Sequence, residues 1–114
     1  MADENEKKAV REQLNRIFRS GPFVHSPRRQ RFLHYIVNET LAGRPERLKG
    51  YSIGVEVFGR PETFDPVADP IVRIEAARLR EKLRDYYNAV GRQDPIRIDL
   101  PKVHAANKIS PQAC

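Results

Sequence analysis

The chain has 114 residues, which suits one domain and leaves no room for two. Hydrophobic residues make up 39%, enough for one modest core, and 21 Lys plus Arg against 15 Asp plus Glu give a net charge of +6, a balance that favours a polyanionic partner without choosing among DNA, RNA and anionic membrane. The one cysteine, Cys114, excludes an internal disulfide; no run of about 18 apolar residues offers a membrane span, and Met1 to Lys8 lacks the apolar stretch of a leader, so the expected location is the cytoplasm.

The first predicted element is an amphipathic helix over about residues 5–20, where Val10, Leu14, Ile17 and Phe18 recur at helical spacing. Ser20-Gly21-Pro22 reads as its stop. A second helix starts at Ser26-Pro27, an N-cap followed by proline at the first helical position. Leu33, Ile36, Val37 and Leu41 form its buried stripe, and Gly43 ends it. Arg44 to Gly50 reads as a loop or short strand. Ser52 to Phe58 is ambiguous: Ile53, Val55 and Val57 alternate as in a strand, whereas Ile53, Val57 and Phe58 fit a short helix. The helix is favoured because Ser52 can cap it and Gly59 can end it.

Pro61 to Asp69 is a turn-rich connector. Asp69 then caps a long helix that begins at Pro70, runs to about Asn88 and is ended by Gly91. Ile96, Ile98 and Leu100 alternate with Arg97 and Asp99, the pattern of a half-buried strand. The expected fold is mainly α, a helix-turn-helix or winged-helix-like domain of four helices with a short C-terminal β element, spanning residues 1–102. Residues 103–114 have no clear period and are expected to be an irregular or disordered tail.

At about 100° per residue, Val72, Ala76, Leu79, Leu83 and Tyr86 share one stripe of the long helix. Arg73, Ala77, Arg80 and Arg84 share the neighbouring stripe. One face can therefore bury while the next presents a row of guanidinium groups around a small residue. That pattern suits a major groove, where arginine grips guanine edges or clamps phosphates. A solvated face is the competing reading, because Glu75, Glu81 and Asp85 can pair with these arginines along the helix. Charge density does not decide it: residues 69–92 carry 6 basic and 4 acidic side chains, and residues 9–50 carry 9 and 3. Arg28, Arg29 and Arg31 lie in the first turns of the second helix, where the helix dipole disfavours cations. They are candidate phosphate contacts or, equally, exposed and screened by salt.

No metal, cofactor or catalytic constellation stands out. His25, His34 and His104 lack partners at ligand spacing. Gly50-Tyr51-Ser52-Ile53-Gly54 lacks the glycine pattern and lysine of a phosphate loop, and no nucleophile elbow is present. Tyr86-Tyr87 reads as a core residue beside a half-exposed one. The aromatic pattern of the usual RNA-binding modules is missing. The chain is not expected to be an enzyme.

The runs Leu48-Lys49-Gly50-Tyr51, Val55-Glu56-Val57-Phe58-Gly59-Arg60, Phe64-Asp65-Pro66, Asp69-Pro70-Ile71-Val72-Arg73, Arg78-Leu79-Arg80-Glu81-Lys82-Leu83 and Ile96-Arg97-Ile98-Asp99-Leu100-Pro101-Lys102 resemble a bacterial N-terminal domain that stands ahead of tetratricopeptide repeats or adenylate cyclase-like regions. The run 78–83 followed by a strand is also similar, more loosely, to the winged-helix effector domains of response regulators. The resemblance implies that Arg73, Arg80 and Arg84 are recognition-helix contacts and that Arg97 and Lys102 sit on a wing. In that family a glycine and an aromatic strand follow and close the hairpin. Here Val103-His104-Ala105-Ala106-Asn107-Lys108 follows instead, which leaves the strand at 96–100 without an obvious partner. The expected function is binding of double-stranded DNA in transcriptional regulation, with residues 70–90 as recognition helix and a homodimer or protein partner in support. The alternative is a protein-interaction module without DNA binding.

Overall fold

A computed structural model describes residues 3–100 and the backbone of 108–111. It is mainly helical. Five α-helices, α1 (Glu4–Phe18), α2 (Gly21–Val24), α3 (Pro27–Leu41), α4 (Gly50–Glu56) and α5 (Ile71–Asn88), precede two strands, β1 (Ile96–Asp99) and β2 (Lys108–Pro111).

The helix starts follow from local chemistry. Asp3 caps α1 by accepting from the Glu6 N–H at 2.8 Å. Ser26 caps α3 by accepting from the Arg29 N–H at 3.3 Å, with Pro27 just inside the helix. Gly43 closes α3 at φ 72°, in the left-handed region where glycine carries no steric cost. Gly54 serves a different need: a side chain there would run into the ring of Phe64, so its bare backbone lets the 57–70 segment fold onto α4.

Several expectations are corrected. The first helix ends at Phe18, just ahead of Ser20-Gly21-Pro22 as expected, but those residues also open a further helix, α2, giving five helices instead of four among the described residues. Pro22 lacks only an N–H that a first turn leaves unbonded anyway, and the Ser20 carbonyl accepts from the Phe23 and Val24 N–H groups. The decisive term is the complete burial of Phe23, worth about 1.5–3 kcal/mol, which no local pattern announces. The Arg44–Gly50 stretch contains a 3₁₀ turn, Pro45–Leu48, tied down by buried Leu48. The short helix is found, but it starts at Gly50, and Ser52 does not cap it; its hydroxyl donates to the Glu46 carbonyl at 3.1 Å. Likewise α5 starts at Ile71. Asp69 still serves it, accepting from the Ile71 N–H at 3.2 Å while its other oxygen accepts from Arg60 Nε at 2.9 Å. The Arg60 hydrogen bond holds the Asp69 carboxyl below its usual range.

The tail also differs from expectation. Residues 108–111 pair antiparallel with β1, Arg97 opposite Ser110 and Ile98 opposite Ile109, so β1 has a hydrogen-bonded neighbour where none was foreseen. An alternating half-buried strand presents ladder groups that a following segment can satisfy even when its own pattern is weak.

The core runs through all five helices. The stripe expected on α5 is buried as read, Val72, Ala76, Leu79, Leu83 and Tyr86, and Tyr87 joins it where a half-exposed residue was expected. These side chains meet Ile17, Phe23, Leu33, Ile36, Ile53 and Ile98 in one cluster. The long helix packs against α2, α3, α4 and β1. The link from α4 to α5, residues 57–70, exceeds the turn of about three or four residues found in compact helix-turn-helix units. No helix among the described residues is long and apolar enough to cross a membrane.

Candidate nucleic-acid interface

The candidate interface lies on the side of α5 beside its buried stripe. Arg73, Ala77 and Arg84 are exposed there. Arg73 also donates to the Pro66 carbonyl at 3.3 Å, which anchors the 57–70 segment to the start of the helix. Arg80 differs from the other three: it is half-buried, and its Nη1 is sealed from solvent without a hydrogen-bond partner among the described residues. The physical reason is angular. On the helical wheel Arg80 is the arginine nearest the core positions Ala76 and Leu83, and β1 packs along that side.

The acidic residues of α5 do not neutralise this stripe. Glu75 pairs with Arg78 at 3.2 Å, on another face. Among the described residues Arg73, Arg80 and Arg84 form no ion pair.

The strand brings in a further guanidinium. Arg97 stacks over the Tyr87 ring, 5.0 Å from its centre, and its Nε lies 3.1 Å from the Asp99 carboxylate. Arg80, Leu83 and Arg84 of α5 then face Arg97, Asp99 and Leu100 across a small cleft of about 130 Å³. Lys102 lies outside the described residues.

A buried polar network fixes this junction. The Tyr87 hydroxyl donates to the Ile96 carbonyl at 2.9 Å and accepts from the Ile98 N–H at 2.9 Å and from Gln13 Nε2 at 3.3 Å. One donor and two acceptor sites are thus all used. Gln13, fully buried in α1, also donates to Asp94 at 2.8 Å and accepts from Arg16 at 2.7 Å. Asp94 accepts in addition from the Tyr86 hydroxyl. Burial pushes the Tyr87 hydroxyl up to about 12, and burial together with the Asp94 carboxylate raises that of Tyr86. Sequence reasoning missed Gln13 and Asp94. A signal existed for Gln13, a polar residue in the middle of α1 that shares the helical stripe of Val10, Leu14 and Ile17.

The three arginines of α3 are not equivalent. Arg29 donates to the Pro22 carbonyl at 3.0 Å, and Arg28 lies 5.0 Å above the Phe58 ring. Intramolecular partners therefore account for two of the cations in the first turns of α3. Arg31 is exposed and borders a separate concavity with Phe18, His34, Tyr35 and Glu56. Among the described residues no group of His, Cys, Asp or Glu is arranged to hold a metal ion. No known family model, curated protein or solved structure matches this chain.

Proposed function

We propose that this chain binds double-stranded DNA and serves transcriptional regulation, with α5 as the element that enters the major groove. One observation carries the reading. Arg73, Arg80 and Arg84 run along one side of the longest helix, none of them in an ion pair among the described residues, with small Ala77 between them and Arg97 beside them on β1. Exposed arginines that serve only solubility commonly pair with carboxylates one turn away, and Glu75 does so with Arg78 rather than with this row. A helix of this length is about 27 Å long and fits a major groove about 12 Å wide. Ala77 lets the backbone approach closely. In this reading α4, residues 57–70 and α5 act as a helix-turn-helix-like unit with an extended turn, and β1 with β2 stands where a wing would.

The test is a fluorescence-anisotropy titration of labelled duplex DNA at low and at physiological salt. Binding that weakens steeply with salt, about one logarithmic unit of slope per phosphate neutralised, is expected. A folded protein that binds no duplex at low salt ends the reading. The remaining surfaces would then have to be examined as protein-docking faces.

A further inference from the structure

We infer that the cleft between α5 and β1 is a clamp for a single phosphate group, and that in the DNA complex it holds one backbone phosphate, leaving base contact to the Arg73–Ala77 half of the helix. The second clause rests on the DNA-binding reading above.

The chemistry of the cleft is specific. Arg80, Arg84 and Arg97 line it from two different elements, with Leu83 and Leu100 as its apolar walls. Among the described residues the carboxylate on its rim is Asp99, already held by Arg97 Nε at 3.1 Å, an interaction that leaves the two terminal nitrogens of Arg97 for another acceptor. Among the described residues Arg80 Nη1 is a buried cationic donor without a partner, an arrangement that is costly unless an acceptor arrives. Guanidinium forks match phosphate oxygens, and such charge-assisted pairs are the stronger hydrogen bonds.

Size narrows the ligand. At about 130 Å³ the cleft is well below the roughly 300 Å³ at which pockets for whole small molecules begin. A cleft of this size suits a tetrahedral anion better than a whole nucleoside. The C-terminal half of a helix does not attract anions through its dipole, so the attraction must come from the side chains themselves. Two of them, Arg97 and Arg80, are placed in advance. Arg97 rests on the Tyr87 ring, and the Tyr87 hydroxyl is locked by Gln13, Ile96 and Ile98. Arg80 is half-buried beside β1 whereas Arg73 is exposed, so the reading of bases falls to the other half of α5.

Two titrations test this. In the first, inorganic phosphate alone is added to the whole chain while the arginine Nε–H resonances are followed by NMR, with chloride at matched ionic strength as control. Saturable shifts at Arg80, Arg84 and Arg97 that chloride does not produce, and that Arg80→Gln abolishes, are expected. Shifts no larger than those from chloride overturn the clamp whatever the protein does with DNA. In the second, duplexes of several sequences are titrated with wild type, Arg80→Gln and Arg73→Ala. Arg80→Gln is expected to weaken every duplex equally and to lower the salt slope by about one phosphate, while Arg73→Ala changes the ranking of sequences. A changed ranking with an unchanged slope for Arg80→Gln overturns the assignment. Phosphate binding without any duplex binding keeps the clamp but overturns the DNA backbone as its source. Arg84→Gln, at an exposed position, repeats both titrations should Arg80→Gln fail to fold.

Discussion

The two sides of α5 treat their polar groups in opposite ways. On the side turned to α1 and β1, Tyr86 and Tyr87 sit in a network with Gln13, Asp94 and the strand backbone in which the hydroxyls and the Gln13 amide find partners. On the neighbouring side, exposed Arg73 and Arg84 and half-buried Arg80 carry strong donors that no carboxylate among the described residues answers. The contrast separates two uses of polarity on one helix. The hydroxyls and the amide that hold the fold are satisfied within it, because a buried group without a partner is costly, although Arg16 Nε beside them has no hydrogen-bond partner among the described residues. Groups that the fold leaves unanswered are available to a ligand. The Arg97–Tyr87 stack joins the two sides, so the network that stabilises the domain also aims the cleft.

That division can be broken by substitution, and the largest effect belongs on the inner side. Tyr87→Phe deletes a hydroxyl serving three partners and strands the Ile98 N–H and the Ile96 carbonyl. A loss of about 1–3 kcal/mol in urea unfolding is expected. A loss under about 0.5 kcal/mol would show that the network does not hold the junction. Filling the close approach at Gly54 by Gly54→Ala should cost about 1–3 kcal/mol as well, through overpacking against Phe64. Its effect on duplex binding should be no more than its effect on the folded fraction.

Alkaline titration sharpens the comparison. The Tyr87 hydroxyl is raised to about 12 in the fold against about 10 in the unfolded chain, so its neutral form is the one the fold favours. Above pH 10 the unfolded chain binds fewer protons than the folded one. Stability should therefore be insensitive to this group below about pH 10 and fall between about pH 10 and 12. Tyr86, raised in the same direction, adds to the fall. The measurement is urea unfolding across that window, and Tyr87→Phe should flatten the curve. The smallest effect is expected at Arg28→Ala, which removes one cation from the Phe58 ring at a cost of about 0.5–1 kcal/mol. If Arg28 has only this structural role, the salt slope for duplex binding will not change.

Much of the architecture was legible in sequence because it is local. The α5 stripe, the Ser26-Pro27 start and the Gly43 stop each rest on a few neighbouring residues, and the structure has them as read. What was not legible depends on distant partners. The helix at Gly21–Val24 follows from the burial of Phe23 in a cavity that other helices make. The strand partner at 108–111 follows from the ladder groups of β1 rather than from a pattern of its own. The outward row of α5 was visible as a stripe, and even the depth of Arg80 was implicit in its angle toward Ala76 and Leu83. Its enclosure was not, because that needs Arg97 and Asp99 brought alongside by β1.

In this reading the arginine row of α5 binds DNA, and the Arg73 hydrogen bond to the Pro66 carbonyl is not what keeps the domain folded. Duplex titration of an Arg73/Arg80/Arg84→Ala triple variant, beside its urea unfolding curve, tests both halves at once. The account predicts a variant that remains folded, with the salt-dependent binding of the wild type lost. A folded variant that binds duplex as tightly and with the same salt slope as wild type would contradict it.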